Sequence, residues 1–60
     1  MLTRCHVESL PADELTRRAD AALRADAERY GWRPVRAATI PRWMRVEAVL
    51  NEVRHAAATR

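Results

Sequence analysis

The sequence predicts a mainly α-helical domain spanning residues 1–60: a short N-terminal strand, then two amphipathic helices joined by a basic, aromatic loop, associating as a homodimer. Three observations predict it. A hydroxyl–aliphatic–proline signal occurs twice, as Ser9-Leu10-Pro11 and Thr39-Ile40-Pro41. Apolar residues follow each signal at helical spacing. The only glycine, Gly31, stands after the first of these periodic runs, where a helix takes a left-handed cap.

Residues 2–7 are read as the strand. In "MLTRCHVE" Met1, Thr3, Cys5 and Val7 alternate with Leu2, Arg4, His6 and Glu8, a period of two that gives one wet face. Pro11 then pushes Leu10 out of the helical region and is itself suited to a first helical turn. The first helix is therefore placed at residues 11–30, with Asp13 and Glu14 in the turn where the helix dipole favours negative charge. On a wheel of 100° per residue, Ala12, Leu15, Ala19, Leu23 and Tyr30 fall within about 80° of one another. Asp13 with Arg17, Glu14 with Arg18 and Asp20 with Arg24 are i, i+4 pairs, each worth about 0.2–0.5 kcal/mol and most simply a solvated face. Asp26 falls inside the apolar stripe, so it sits at an edge, pairs with an arginine, or faces a partner.

Residues 31–40 form the loop, since Pro34 lacks a backbone donor and demotes "WRPVRAA" to an edge strand or loop. The second helix is placed at residues 41–57. Trp43, Val46, Val49, Leu50, Val53 and Ala57 make its apolar side; Arg45, Glu47, Asn51, Glu52 and His55 point away. Val46, Leu50 and Val53 have the spacing to pack on Leu15, Ala19 and Leu23, or on the same helix of a second subunit.

Composition narrows the function. A 60-residue chain buries only about 60% of the surface its unfolded form exposes, so a lone core is marginal and oligomerisation or a partner is the expected source of stability. Cys5 is the single cysteine, which rules out an intrachain disulfide and a cysteine-based zinc spacing. One glycine leaves no phosphate-cradling loop, and so small a fold has little wall for a substrate pocket. Cys5 and His6 face opposite sides of the predicted strand and make no nucleophile–base pair. His55, near a helix C-terminus, needs no ligand role. No enzyme, cofactor, metal or small-molecule substrate is expected. No apolar run reaches the roughly 18–20 residues of a membrane span, and Met1 to Leu10 lacks the apolar centre of a secretory signal, so a soluble, cytoplasmic protein is expected.

Charge points to recognition. The chain carries a net charge of +3 and a pI near 10.4, which favours nucleic acid, an acidic protein surface or anionic lipid. All eleven basic residues are arginine, a bias that high-GC coding also produces. Coding bias does not explain their placement. "RYGWRPVRAATIPRWMR", residues 29–45, holds every aromatic in the chain, Tyr30, Trp32 and Trp43, with Arg29, Arg33, Arg36, Arg42 and Arg45 and no carboxylate. Arginine with tryptophan and tyrosine is enriched at interface hot spots and also suits phosphate contact and base stacking. Tyr30 and Trp43 are more simply core residues of their helices; Trp32, outside both, is not.

At "CHVESLPADELTRRAD" the chain resembles the start of the ribbon-helix-helix family of DNA-binding proteins, and "RVEAVLNEV", residues 45–53, is similar to the family's second helix. The resemblance implies that two subunits pair their strands into a ribbon entering the DNA major groove. Arg4 and His6 would then face the groove, Cys5 and Val7 would face inward, and Arg4 would suit guanine through its forked donors. The gap from Ser9 to Arg45 is longer than in the family, and Val46 stands where the family has a backbone-contacting serine.

Two readings follow. In the first, a dimeric regulator of the repressor or antitoxin kind binds DNA through Arg4 and His6, supported by Arg33, Arg36, Arg42 and Arg45. In the second, a protein-binding module such as a small phage-type inhibitor or accessory subunit engages an acidic protein surface. Trp32, Arg33 and Arg36 would then form the hot spot, with Tyr30 and Trp43 as further partner-binding residues and the second helix lying in a groove of the partner. Binding to anionic lipid ranks last, because neither helix opposes a strongly basic face to large apolar groups.

Overall fold

A computed structural model describes residues 3–58. It contains three helices, α1 (Arg4–Glu8), α2 (Ala12–Tyr30) and α3 (Arg42–Ala58), with a 3₁₀ turn at Ala37–Thr39, and no strand occurs among the described residues.

The predicted N-terminal strand is therefore corrected to a helix. Thr3 caps α1: its hydroxyl accepts from the His6 N–H at 3.3 Å, and its carbonyl accepts from the Val7 N–H at 3.0 Å. At the other end the Ser9 N–H and hydroxyl both donate to the Cys5 carbonyl, at 3.1 and 2.7 Å. A lone strand would leave this backbone unpaired within the chain, whereas a capped turn satisfies it locally. Val7, alone among the α1 residues, is buried, and Cys5 carries an exposed free thiol.

Helix α2 begins after Pro11, whose carbonyl accepts from the Leu15 N–H at 2.9 Å. It ends at Gly31, which has φ 75° and ψ 26°. The amides of Gly31 and Trp32 both donate to the Ala27 carbonyl, so the left-handed residue closes the helix and turns the chain back. The segment that follows is not a featureless loop. Asp20 Oδ1 accepts from the Ala37 N–H at 2.7 Å, pinning the segment halfway along α2, and Ala37 is wholly buried. The chain thus returns to the start of α2 before α3 begins.

As a result α2 and α3 run in the same direction. Leu15 and Ala19 share the core with Val46, Val49 and Leu50, and further along Arg29 reaches Glu52. Two arginines of α3 secure its start. Arg42 Nη2 donates to the carbonyls of Glu8 and Leu10 at 2.9 and 3.0 Å, and Arg45 Nη1 donates to those of Ala37 and Ile40 at 3.3 and 3.1 Å. Arg4 of α1 pairs with Glu47 of α3 at 2.6 Å.

One core joins all segments: Val7, Leu15, Ala19, Ala37, Val46, Val49 and Leu50, with Leu10 and Leu23 against it. Its largest fully enclosed side chains are Leu15 and Val7, each contributing about 1.5–3 kcal/mol by burial. Ala22, Ala27 and Ala48 are buried as well. Several helical-wheel expectations are corrected. Ala12 and Ala57 are exposed, and Arg45 turns inward, its Nε buried without a partner among the described residues. Of the three expected i, i+4 pairs only Glu14–Arg18 forms, at 2.8 Å. Arg17 pairs with Glu14, and Asp20 serves the Ala37 amide. The whole is flat, with extents of 30 × 29 × 14 Å, and no described helix is long and apolar enough to cross a membrane.

Candidate interaction surface

The aromatic residues lie outside the core. Tyr30 is 58% exposed, Trp32 65% and Trp43 66%, which overturns the core reading of Tyr30 and Trp43. The cause is position. Tyr30 is the last residue of α2 and Trp43 the second of α3, and neither belongs to the cluster that joins the helices.

Tyr30 and Trp32 belong together. Gly31 reverses the chain between them, and their rings stand 5.1 Å apart, tilted by 32°, a favourable offset for two aromatic faces. Arg29 lies 5.9 Å from the Tyr30 ring centre and is held by Asp26 at 2.7 Å and Glu52 at 3.4 Å. Desolvation opposes the charge on Arg29, but Glu52 above all, with Tyr30 and Asp26, keeps its pKa above the ordinary value. Asp26 is thus an acid already neutralised, one of the options its place in the stripe left open.

These residues form one wall of an open groove of about 510 Å³, lined on the α2 side by Asp26, Arg29, Tyr30 and Trp32. The α3 side supplies Asn51, Arg54, His55 and Ala58. Arg54 is exposed and makes no ion pair within the described chain. Sequence reasoning missed Asn51 and Arg54 and set His55 aside. Asn51, His55 and Ala58 do follow one another at helical spacing, but matching that row to Asp26 and Tyr30 requires knowing that α2 and α3 run the same way.

The arginines nominated from the sequence divide into two groups. Arg4 is held by Glu47 and, at 3.6 Å, by Glu8; the hydrogen bond and charge of Glu47 raise its pKa. Its expected direction, into a groove from a strand face, has no strand to carry it. His6 lies on α1 with Nδ1 3.0 Å from the Thr3 hydroxyl. Arg42 and Arg45 serve backbone carbonyls. Arg33 and Arg36 remain, both exposed on the return segment and without an ion pair among the described residues. Trp43 stands at the opposite end of α3 from the groove and does not join the Tyr30–Trp32 pair.

The described residues include no cluster of three or more histidine, cysteine, aspartate and glutamate side chains that could hold a metal ion. No protein-family model matches the chain, and no curated protein or solved structure matches it either.

Proposed function

We propose that this chain is a small non-catalytic module that binds an acidic protein surface through Trp32 and the neighbouring Arg33 and Arg36. One observation carries the reading: Trp32, Arg33 and Arg36 are exposed and the two arginines have no charge partner among the described residues, while Arg4, Arg29, Arg42 and Arg45 are engaged by carboxylates or carbonyls of the chain itself. An indole flanked by free guanidinium groups can bury apolar area and take carboxylates in forked hydrogen bonds on desolvation. Self-association belongs to the same proposal, since so few large side chains are enclosed and a core of this size gains from a second copy.

DNA binding is the second reading, favoured by free Arg33 and Arg36 on a chain of net charge +3. With α1 helical it loses the ribbon that would read bases, and phosphate contact alone supports only sequence-independent binding.

A titration separates the two. Labelled protein is mixed at low salt with a glutamate-rich polypeptide and, in parallel, with random duplex DNA, and anisotropy is followed. The expected result is binding of the polypeptide, weakened at least about tenfold by Trp32→Ala and by Arg33→Glu with Arg36→Glu. Duplex binding that falls steeply with salt, with no binding of the polypeptide, would replace the first reading by the second.

A further inference from the structure

We infer that the groove between the C-terminal ends of α2 and α3 is a peptide site, taking an apolar side chain against Tyr30 and Trp32 and an adjacent carboxylate on Arg54. The inference rests on the protein-binding reading above and gives its partner a chemistry: an acidic segment with a single apolar anchor.

Three features of the groove lead there. Its aromatic wall is a ring pair: Tyr30 and Trp32 stand 5.1 Å apart across the Gly31 turn, whose Trp32 amide is tied to Ala27 at 2.9 Å, and both rings are mostly exposed. They offer apolar area to an incoming side chain. Its charges are unequal: Asp26 is already neutralised by Arg29 at 2.7 Å, whereas Arg54 is exposed and unpaired within the described chain. The groove therefore offers one free cation beside apolar rings, which complements one carboxylate beside one apolar side chain.

The third feature decides between a peptide and a nucleic acid. Helix α2 ends here, and its C-terminus carries partial negative charge; Asp26 lines the wall as well. A phosphate backbone brings a charge with every nucleotide and would set several against this helix end and the Asp26 carboxylate. A peptide can place its single carboxylate on Arg54 and cover the remainder with carbon. The volume of about 510 Å³ lies within the range of small-ligand clefts and is ample for one large side chain.

The test uses the full chain carrying Trp43→Phe, so that Trp32 is the sole indole and its emission reports the groove. The probe is a glycine–serine peptide carrying one leucine next to one glutamate; the comparisons are the same peptide with serine in place of the leucine, the glutamate-rich polypeptide used above, and a single-stranded oligonucleotide. The leucine peptide should shift Trp32 emission and bind about tenfold more tightly than the serine peptide. Arg54→Glu and the groove-filling Asn51→Phe, each checked for unchanged helicity, should each weaken it about tenfold or more. Equal binding of the leucine and serine peptides, or binding of the glutamate-rich polypeptide alone that is lost with Arg33 and Arg36 and untouched by Asn51→Phe, overturns the groove and leaves the wider function standing. No binding of any peptide, or preference for the oligonucleotide, overturns both.

Discussion

Asp20 is the residue on which the path of the chain between the helices turns. Its Oδ1 is the acceptor for the Ala37 N–H at 2.7 Å, and Ala37 is fully buried. Asp20→Ala leaves that donor inside the protein without a partner, and an orphaned buried donor costs about 1–3 kcal/mol. Sixty residues carry roughly 3–9 kcal/mol of stability in total, so this one atom governs a large share of it. At about 4–8 °C per kcal/mol for a domain of this size, the melting temperature should fall by roughly 4–24 °C. Thermal melts by far-ultraviolet circular dichroism measure it. Asp20→Asn keeps a carbonyl oxygen at the same place and should recover most of the loss. Hydrogen exchange at the Ala37 amide adds a local readout, accelerated in Asp20→Ala. Were Asp20 instead a helix-surface partner of Arg24, its removal would cost only about 0.2–0.5 kcal/mol, and Arg24→Ala would cost the same. A melt for Asp20→Ala within that small range, with unchanged exchange at Ala37, refutes the argument.

Further outcomes follow from the same geometry. Gly31→Ala meets no atom within 4 Å, but φ is +75° there, so the cost is backbone strain alone, about 1–2 kcal/mol, read as a lower melting temperature. The Glu14 carboxyl is held below its ordinary pKa by hydrogen bonds from Arg17 and then Arg18. Because its folded pKa is the lower one, the unfolded chain binds the proton first on acidification; the stability it confers is present at neutral pH and lost as pH falls through the folded pKa. Melting temperatures taken between roughly pH 5 and pH 3 should fall less in Glu14→Gln than in the parent, and parallel curves would count against that pair.

Much of the helical plan is legible from punctuation. Pro11 and Gly31 bound α2, and Pro41 precedes α3, because proline and glycine act through backbone geometry that needs no tertiary context. Residues 4–8 were not legible as a helix. Five residues fit a period of two as well as a single turn, and the choice fell to the Thr3 cap and to the burial of Val7 against α3, a contact distant in sequence. The arginines show the same limit. Nothing local distinguishes Arg33, which stays free, from Arg45, which bonds the carbonyls of Ala37 and Ile40. Tyr30 and Trp43 sat on apolar stripes, yet a stripe says which side of a helix faces inward, not how far along the helix the packing extends.

A depth of 14 Å accommodates two helices at their usual separation of about 8–10 Å and no third layer. Every helix is therefore wetted along one flank, and the apolar positions that tie the helices together centre on the seven joined in a single cluster, 7, 15, 19, 37, 46, 49 and 50, with buried alanines at 22, 27 and 48 beside them. Evolutionary drift can recolour both broad sides of such a tile without loosening it. Kinship to this chain is accordingly best sought in the intervals between those seven positions, and overall percentage identity is a poor guide to it.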